Sequence, residues 1–296
     1  MTDFIILFVA SISAGMLGAL TGLGGGAIIV PLLSIGFGVP IHQAVGASLI
    51  CIIGTSSGAA SAYVREGFTN LRVGIFLEVA TTLGAIGGAM LAGLLPENLL
   101  AIIFGAILIL TVLLNLRPKP NYEYPRIKGS WSERLKLCGS YPNANNKISY
   151  AARNVLAGFS MMGFAGMISG LLGLGGGAFK VLAMDNIMKL PFKVSTTTSN
   201  FMIGVTVAAS ALIYFQRGDI LPQLAAPVLL GVVVGSVTGA RIFMKAKVKA
   251  LKILFAFVVS SISIYMIYNA LKKHTLIWKR ILKKLIKSLE MYCASE

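Results

Sequence analysis

The stretch FIILFVASISAGMLGALTGLGGGAIIVPLLSIGF, residues 4–37, decides how the chain is read. It is apolar throughout, yet a glycine cluster, Gly22-Leu-Gly24-Gly25-Gly26, cuts it in two. Built as one helix, Phe4 to Gly36 would reach about 50 Å. That overshoots a hydrocarbon core of about 30 Å and falls short of two spans. A glycine break at membrane depth frees backbone N–H and C=O groups that lipid cannot satisfy, so it is tolerated only against protein or a watery cavity. The stretch predicts a broken helix or a hairpin dipping into the membrane, closed by Gly36, Gly38 and Pro40.

The surroundings agree. No Asp, Glu, Lys or Arg occurs between Phe4 and Val64, and the whole chain is 56% hydrophobic with only 12% charged residues. Soluble domains carry about twice that charged fraction. The mean hydropathy of +0.83 belongs to a polytopic membrane protein. The net charge of +16 is confined to the segments between apolar runs and to the C-terminus. Such placement suits anionic lipid headgroups, not nucleic acid. Cys51, Cys138 and Cys293 are isolated, so neither a disulfide framework nor a zinc site is expected, and no metal or cofactor is implied. The N-terminal apolar run lacks the basic start of a cleavable leader.

The glycine cluster recurs. Gly173-Leu-Gly175-Gly176-Gly177 stands 151 positions after Gly22 and again interrupts an apolar run. At that constant offset Gly15 meets Gly166, Pro40 meets Pro191, Ser48 meets Ser199 and Tyr63 meets Tyr214. Gly67 meets Gly218, Gly84 meets Gly235 and Gly88 meets Gly239. One register held over some seventy positions reads as an internal duplication. Residues 1–116 are the first transmembrane repeat, 117–153 a basic linker, 154–271 the second repeat and 272–296 a tail.

Each repeat holds the glycine-broken unit and three full spans, near 44–63, 72–93 and 98–116, then near 194–215, 220–241 and 253–271. The expected fold is an all-α membrane protein of about eight transmembrane segments. The linker carries eight Lys/Arg, which places it in the cytoplasm, and reads as irregular structure. If each broken unit crosses once, the repeats run parallel; if it dips in and returns, they are inverted. The charge totals barely separate the two. Inversion explains why Pro96-Glu97 lacks basic residues while its counterpart near 245–252 is strongly basic, and it is favoured. The tail, Lys272–Tyr292, has the spacing of a basic amphipathic helix lying on anionic lipid, with a partner-binding helix as the other reading. Inversion puts that tail outside, against the charge rule.

Matched breaks in two halves point to a transporter's binding site. A half-helix that starts just after a glycine break offers free N–H groups and a positive dipole end to an anion. Two begin here, after Gly24-Gly25-Gly26 and after Gly175-Gly176-Gly177. The second adds Lys180, deep in an apolar run, which is costly unless it faces water, a ligand or a partner. Pairing with Asp185, or snorkelling to the surface, is its plainer explanation. In the polar cluster Ser195 to Asn200 and its mate around Ser48, Ser48, Ser199 and Asn200 are candidates to line the substrate, and most of the threonines to pack helices. Glu78, six residues inside its span, is the candidate for coupling to a proton or cation, or else sits at headgroup depth with Arg72. His42 reads as interfacial and Arg217–Asp219 as a loop charge pair. Gly84, Gly87, Gly88, Gly235 and Gly239 read as helix-packing faces.

Gly18-x-x-Thr21-Gly22-Leu-Gly24-Gly25-Gly26-x-x-x-Val30-Pro31-Leu32 resembles the first signature of the sulfite exporter TauE/SafE family, also called the toluene-sulfonate-uptake permeases. Ser169-Gly170-Leu-Leu-Gly173-Leu-Gly175-Gly176-Gly177 is similar to its second signature, and Gly46 to Leu49 and Thr198-Ser199-Asn200 match further elements. The resemblance implies secondary transport of sulfite, sulfonates or related small organic acids across the cytoplasmic membrane. Two departures stand out. Val30-Pro31 becomes Val181-Leu182, which leaves the second half-helix less sharply bounded, and Lys180 replaces the apolar Ile29. The partners expected are a small anion, the bilayer with anionic lipids at the tail, a coupling proton or cation, and a second copy in a homodimer. An anion channel built from the same parts is the alternative function. An enzyme is not expected, since no nucleophile–base pair, metal-ligand set or close carboxylate pair is spaced for chemistry.

Overall fold

The structure is a computed structural model that describes residues 2–21, 25–65, 69–116, 134–135, 137–143, 146–243, 256–257 and 259–269. Gly22 to Gly24, residues 244–255 and the tail from 270 lie outside the described residues. The protein is largely helical. The helices are α1 (Thr2–Thr21), α2 (Gly26–Pro31), α3 (Ile41–Arg65), α4 (Leu71–Leu94) and α5 (Glu97–Leu116). After a β-hairpin come α6 (Val155–Leu172), α7 (Gly177–Leu182), α8 (Phe192–Gln216) and α9 (Pro222–Phe243). Residues 259–269 are also helical.

Local chemistry sets the ends of these elements. Asn70 caps α4, its side-chain oxygen accepting from the Val73 N–H at 3.2 Å. Pro222 opens α9, where its missing N–H costs nothing. Gly173 closes α6 in the left-handed conformation, φ 64°, and its N–H bonds the Ser169 carbonyl. The side chains follow the membrane pattern. On α4, Val73, Leu77, Ala85, Ala89 and Ala92 are buried, while Ile75, Val79, Leu83, Met90 and Leu94 are exposed. Both faces are apolar, as a helix between protein and lipid requires.

Among the described residues four helices are long and apolar enough to cross a membrane: Leu71–Leu94, Glu97–Leu114, Val155–Leu172 and Val194–Gln216. Shorter apolar stretches lie in α1 (Ile5–Met16), in Gly26–Gly36, in α3 (Ile41–Ser57) and in α9 (Pro222–Thr238). The chain is therefore a multi-spanning helical membrane protein, with four clear spans where the sequence suggests about eight segments.

Contacts between helices fix their relative directions. Asn70 with Thr198, Glu78 with Thr206 and Ala89 with Arg217 are hydrogen-bonded pairs, each 128 residues apart. A constant offset along two helices means that α4 and α8 run parallel. Gly84 lies against Gly163 and Met167, and Gly88 against Met167 and Leu171, so α6 runs with α4 as well. In the other set, Gly46 abuts Asp219 and Ile220 while Gly54 abuts Leu229 and Val233, so α3 and α9 run together. Gly231 meets Phe8 and Ser11, and Gly235 meets Ile12 and Met16, which adds α1. The two sets are opposed: His42 at the start of α3 contacts the Ala92 carbonyl at the end of α4, 3.0 Å away.

This geometry decides the form of the glycine-broken units. Since α1 and α3 point the same way, the helix between them must run back. The continuous helical piece Gly26–Gly36 is α2 plus one π-helical turn, Leu32–Gly36. At 1.5 Å per residue it covers about half a bilayer. Between α6 and α8 the same device recurs, with α7 followed by a π turn at Ala183–Ile187. Both units are hairpins. The lost proline has no effect on their bounds: Pro31 lies inside α2, and Leu182 occupies the matching position at the end of α7.

Two further expectations are corrected. The 117–153 segment is not wholly irregular. Cys138–Asn143 and Asn146–Ala151 form an antiparallel hairpin, with Asn143 opposite Asn146 at its turn. Pro142 is tolerated because a two-stranded sheet is all edge. The hairpin is tied to α4 by the Asn70 amide, which donates to the Tyr150 hydroxyl at 2.9 Å. Gly87 is not a packing glycine, since a Cβ there would meet open space. Gly84, Gly88 and Gly235 do pack, each so close to a neighbouring backbone carbonyl that no side chain fits.

Candidate functional site

The tips of the two hairpins meet each other. Gly25 caps α2 with φ 80° and Gly176 caps α7 with φ 65°, both left-handed. Glycine adopts this conformation without strain. A Cβ on Gly26 would run into the Gly173 carbonyl, so one hairpin packs directly on the glycine break of the other. Neither α2 nor α7 has a side-chain cap. Gly175, with φ 73°, and Gly177 are buried in the same place.

A small cleft opens at this meeting point. Ala27 reaches it from α2, Gly177 and Ala178 from α7, and Thr111 from α5, with Leu108 and Ile168 as apolar walls. Both half-helices thus present their first turns to one space, and their N-terminal N–H groups are the natural binding elements for an anion. Beside Gly176 stands Ser169, fully buried, whose hydroxyl has no hydrogen-bond partner. Buried hydroxyls are nearly always paired, so this orphan beside an uncapped helix start makes Ser169 a candidate to contact a substrate.

The expected polar residues take distinct places. Ser48 donates to the Gly173 carbonyl at 2.9 Å or to the Val45 carbonyl at 2.8 Å, linking α3 to the tip of the opposite hairpin. Ser199 donates to the Gly177 carbonyl at 3.3 Å, holding α7 on α8. Asn200 is buried one residue on. Ser195 and Thr196 have buried hydroxyls without partners, near the start of α8.

Lys180 does not snorkel. Its side chain is wholly buried, and its ammonium donates to the Thr206 hydroxyl at 2.5 Å. That hydroxyl in turn donates to Glu78 Oε1 at 2.6 Å. Glu78 is also buried, with Thr82 donating to the same oxygen at 3.2 Å, while Arg72 is exposed two turns away. The two charged residues that the sequence presents separately form one unit, joined by a threonine. Glu78 Oε2 has no partner. At the far end of α8, Arg217 pairs with Asp219 at 2.7 Å, stacks on Tyr214 and donates to the Ala89 carbonyl at 2.7 Å. His42 is half-buried and bound to α4, away from the cleft.

Sequence reasoning missed Thr206, Ser169 and Thr111. Only Thr206 carried a signal, because its counterpart at the 151-residue offset is Thr55. The counterparts of its partners are apolar, Ile29 for Lys180 and Leu229 for Glu78. The charged unit therefore occurs once. Among the described residues no group of three or more His, Cys, Asp or Glu could hold a metal.

The sequence profile of the family described as "Sulfite exporter TauE/SafE" matches residues 7–266. A Bacillus subtilis (strain 168) protein described as "Probable membrane transporter protein YunE" is 28% identical over 280 residues, 91% of this chain and 99% of its own length. A second from the same organism, "Probable membrane transporter protein YdhB", is 26% identical and covers 81% of this chain and 89% of its own. "Probable membrane transporter protein ORF9" of Sinorhizobium sp is 26% identical, over 87% of this chain and 90% of its own. No solved structure matches.

Proposed function

The chain belongs to the sulfite exporter TauE/SafE family, and on that premise we propose that it moves a small anion of the sulfite, organosulfonate or short organic acid class by alternating access. It is a multi-pass transporter of the cell membrane and not an enzyme. The observation that carries the substrate class is the cleft: two uncapped half-helix starts face one space beside the orphan hydroxyl of Ser169. Backbone N–H groups and a donating hydroxyl suit an oxyanion.

In this reading Gly24 to Gly26 and Gly175 to Gly177 supply the backbone donors. Ser48 and Ser199 hold the two tips at their meeting point, with Asn200 beside them. Lys180, one turn along α7, adds positive charge to the site, and Glu78 carries the coupling ion. A thermal-shift screen of sulfite, methanesulfonate and short carboxylates on the purified protein tests this. Stabilisation by one anion and not by chloride at equal ionic strength is expected; no response to any of them would remove the anion site.

We propose further that residues 1–116 and 154–271 are inverted repeats, each a re-entrant hairpin and three spans. The opposed directions of α3 and α8 and the matched glycine contacts of α1–α9 and α6–α4 support it. The segments near 65–72, 117–153, 189–193 and 241–252 then share the cytoplasmic side, where their Lys and Arg residues belong. A tag in the linker and one at the C-terminus are expected on opposite faces. Detection of both from the cytoplasm alone would overturn the inversion.

A further inference from the structure

We infer that Glu78, Thr206 and Lys180 form a proton-exchange site inside the membrane, with the Thr206 hydroxyl as the switch that keeps the site bonded in both states. The inference rests on the transporter reading only for what the proton is used for. It commits the coupling ion to a proton.

Thr206 Oγ1 lies 2.6 Å from Glu78 Oε1 and 2.9 Å from the Met202 carbonyl, and it accepts from Lys180. A hydroxyl has one proton, so it can satisfy only one of the two acceptors at a time. When Glu78 is a carboxylate, Lys180 donates to Thr206 and Thr206 donates to Glu78. When a proton adds to Glu78, the carboxyl O–H donates to Thr206 Oγ1, and Thr206 turns its own proton to Met202. The hydroxyl oxygen then accepts from both Glu78 and Lys180, within its capacity. Each state keeps its hydrogen bonds without moving a heavy atom.

A second observation is independent of the threonine. Glu78 Oε2 is buried without a partner. An orphaned oxygen is expensive on a carboxylate and cheap on a neutral acid, so the site does not lock the charged form. Among the described residues, Lys180 is the ionisable side chain seen bonded to Thr206 beside Glu78. α6, packed along α4, has none between Val155 and Leu172. On α8 they lie toward the two ends, Lys193 and Tyr214, the latter donating to the Leu171 carbonyl. Asp185 sits in the π turn after α7, and Arg72 at the exposed start of α4. A metal cation would need several converging oxygens. Here the ammonium of Lys180 already stands on the hydroxyl that bonds Glu78, and it repels a second cation.

The test is an infrared pH titration of the full-length protein in lipid, read at the carboxylic C=O stretch. The wild type is expected to show a buried carboxyl band that gains intensity as the pH falls. Glu78→Gln removes it, Thr206→Val shifts its frequency, and Thr206→Ser leaves it in place. A merely structural threonine would not move that band. If the Glu78→Gln difference spectrum matches the wild type, the proposal is overturned. If Thr206→Val leaves the band unshifted, the switch is overturned. No transported anion enters the measurement, so failure of the transporter reading would show separately, as absence of anion flux with the band still present.

Discussion

Glu78 and Thr206 stand 128 residues apart in the chain and 2.6 Å apart in space, carboxylate to hydroxyl, with neither side chain open to solvent. Lys180 completes the unit from a third helix. A buried charge pair of this kind is weak support for stability, because desolvation offsets the attraction, yet breaking it strands a charge.

The matched position in the opposite repeat gives the natural control for each charge. Glu78→Leu and Lys180→Ile install the residues found at Leu229 and Ile29. Each single substitution is expected to cost about 3–5 kcal/mol by leaving one charge unpaired. The double variant is expected to recover most of that loss and to lack transport. Thermal unfolding in detergent checks the first outcome; additive losses in the double variant would mean that the pair is not coupled.

The glycines at the hairpin tips are predicted to be intolerant for steric reasons. Gly26→Ala forces a Cβ onto the Gly173 carbonyl and is expected to cost about 1–3 kcal/mol, as overpacking does. Gly87→Ala faces open space and should stay within about 0.5 kcal/mol of the parent. Equal melting temperatures for the two variants would show that the tips are loosely packed.

How much of this was legible in the sequence depended on repetition. The glycine clusters announced themselves because they interrupt membrane-length runs and recur at one offset, and the structure brings Gly26 of one against the Gly173 carbonyl of the other. The helix pairing was half-visible: Gly84 and Gly235 were readable as packing residues, but Gly87 looks identical to them in sequence and points into open space. The Lys180–Thr206–Glu78 unit was illegible as a unit. Its members lie 26 and 128 residues apart, and a threonine within an apolar helix has no local pattern that distinguishes a ligand from a spacer. The β-hairpin at Cys138–Ala151 was lost among the prolines and charges of the linker, where only its Tyr and Ile residues hint at strands.

Ser169 separates binding from folding. Its hydroxyl has no partner, so Ser169→Ala removes an unsatisfied buried group and should leave the melting temperature unchanged or slightly higher. If the hydroxyl contacts the anion, affinity should fall by roughly fivefold, the value of about one hydrogen bond. Thermal unfolding reads the first outcome, and isothermal titration with whichever anion stabilises the wild type reads the second; an unchanged affinity would place the anion elsewhere.

The β-hairpin at Cys138–Ala151 makes a prediction at alkaline pH. Burial raises the Tyr150 phenol above its usual value, an effect partly offset by the Asn70 hydrogen bond. A raised phenol keeps its proton in the folded state after the unfolded chain has lost it. This contribution is therefore constant below the ordinary tyrosine range, and stability falls as the pH rises through and beyond it. Tyr150→Phe should flatten that alkaline loss, measured by thermal unfolding; the same slope in both proteins would assign it to other groups.

Two glycine-tipped hairpins that form a carrier should exchange a small anion across the membrane. Counterflow in proteoliposomes tests it most directly. Vesicles loaded with unlabelled sulfite, and separately with methanesulfonate, are diluted into a trace of the labelled anion. The account predicts saturable uptake that overshoots equilibrium and disappears in Gly26→Ala. Flux that rises linearly with concentration and shows no overshoot would mean a pore, and no flux of any small anion would contradict the account outright.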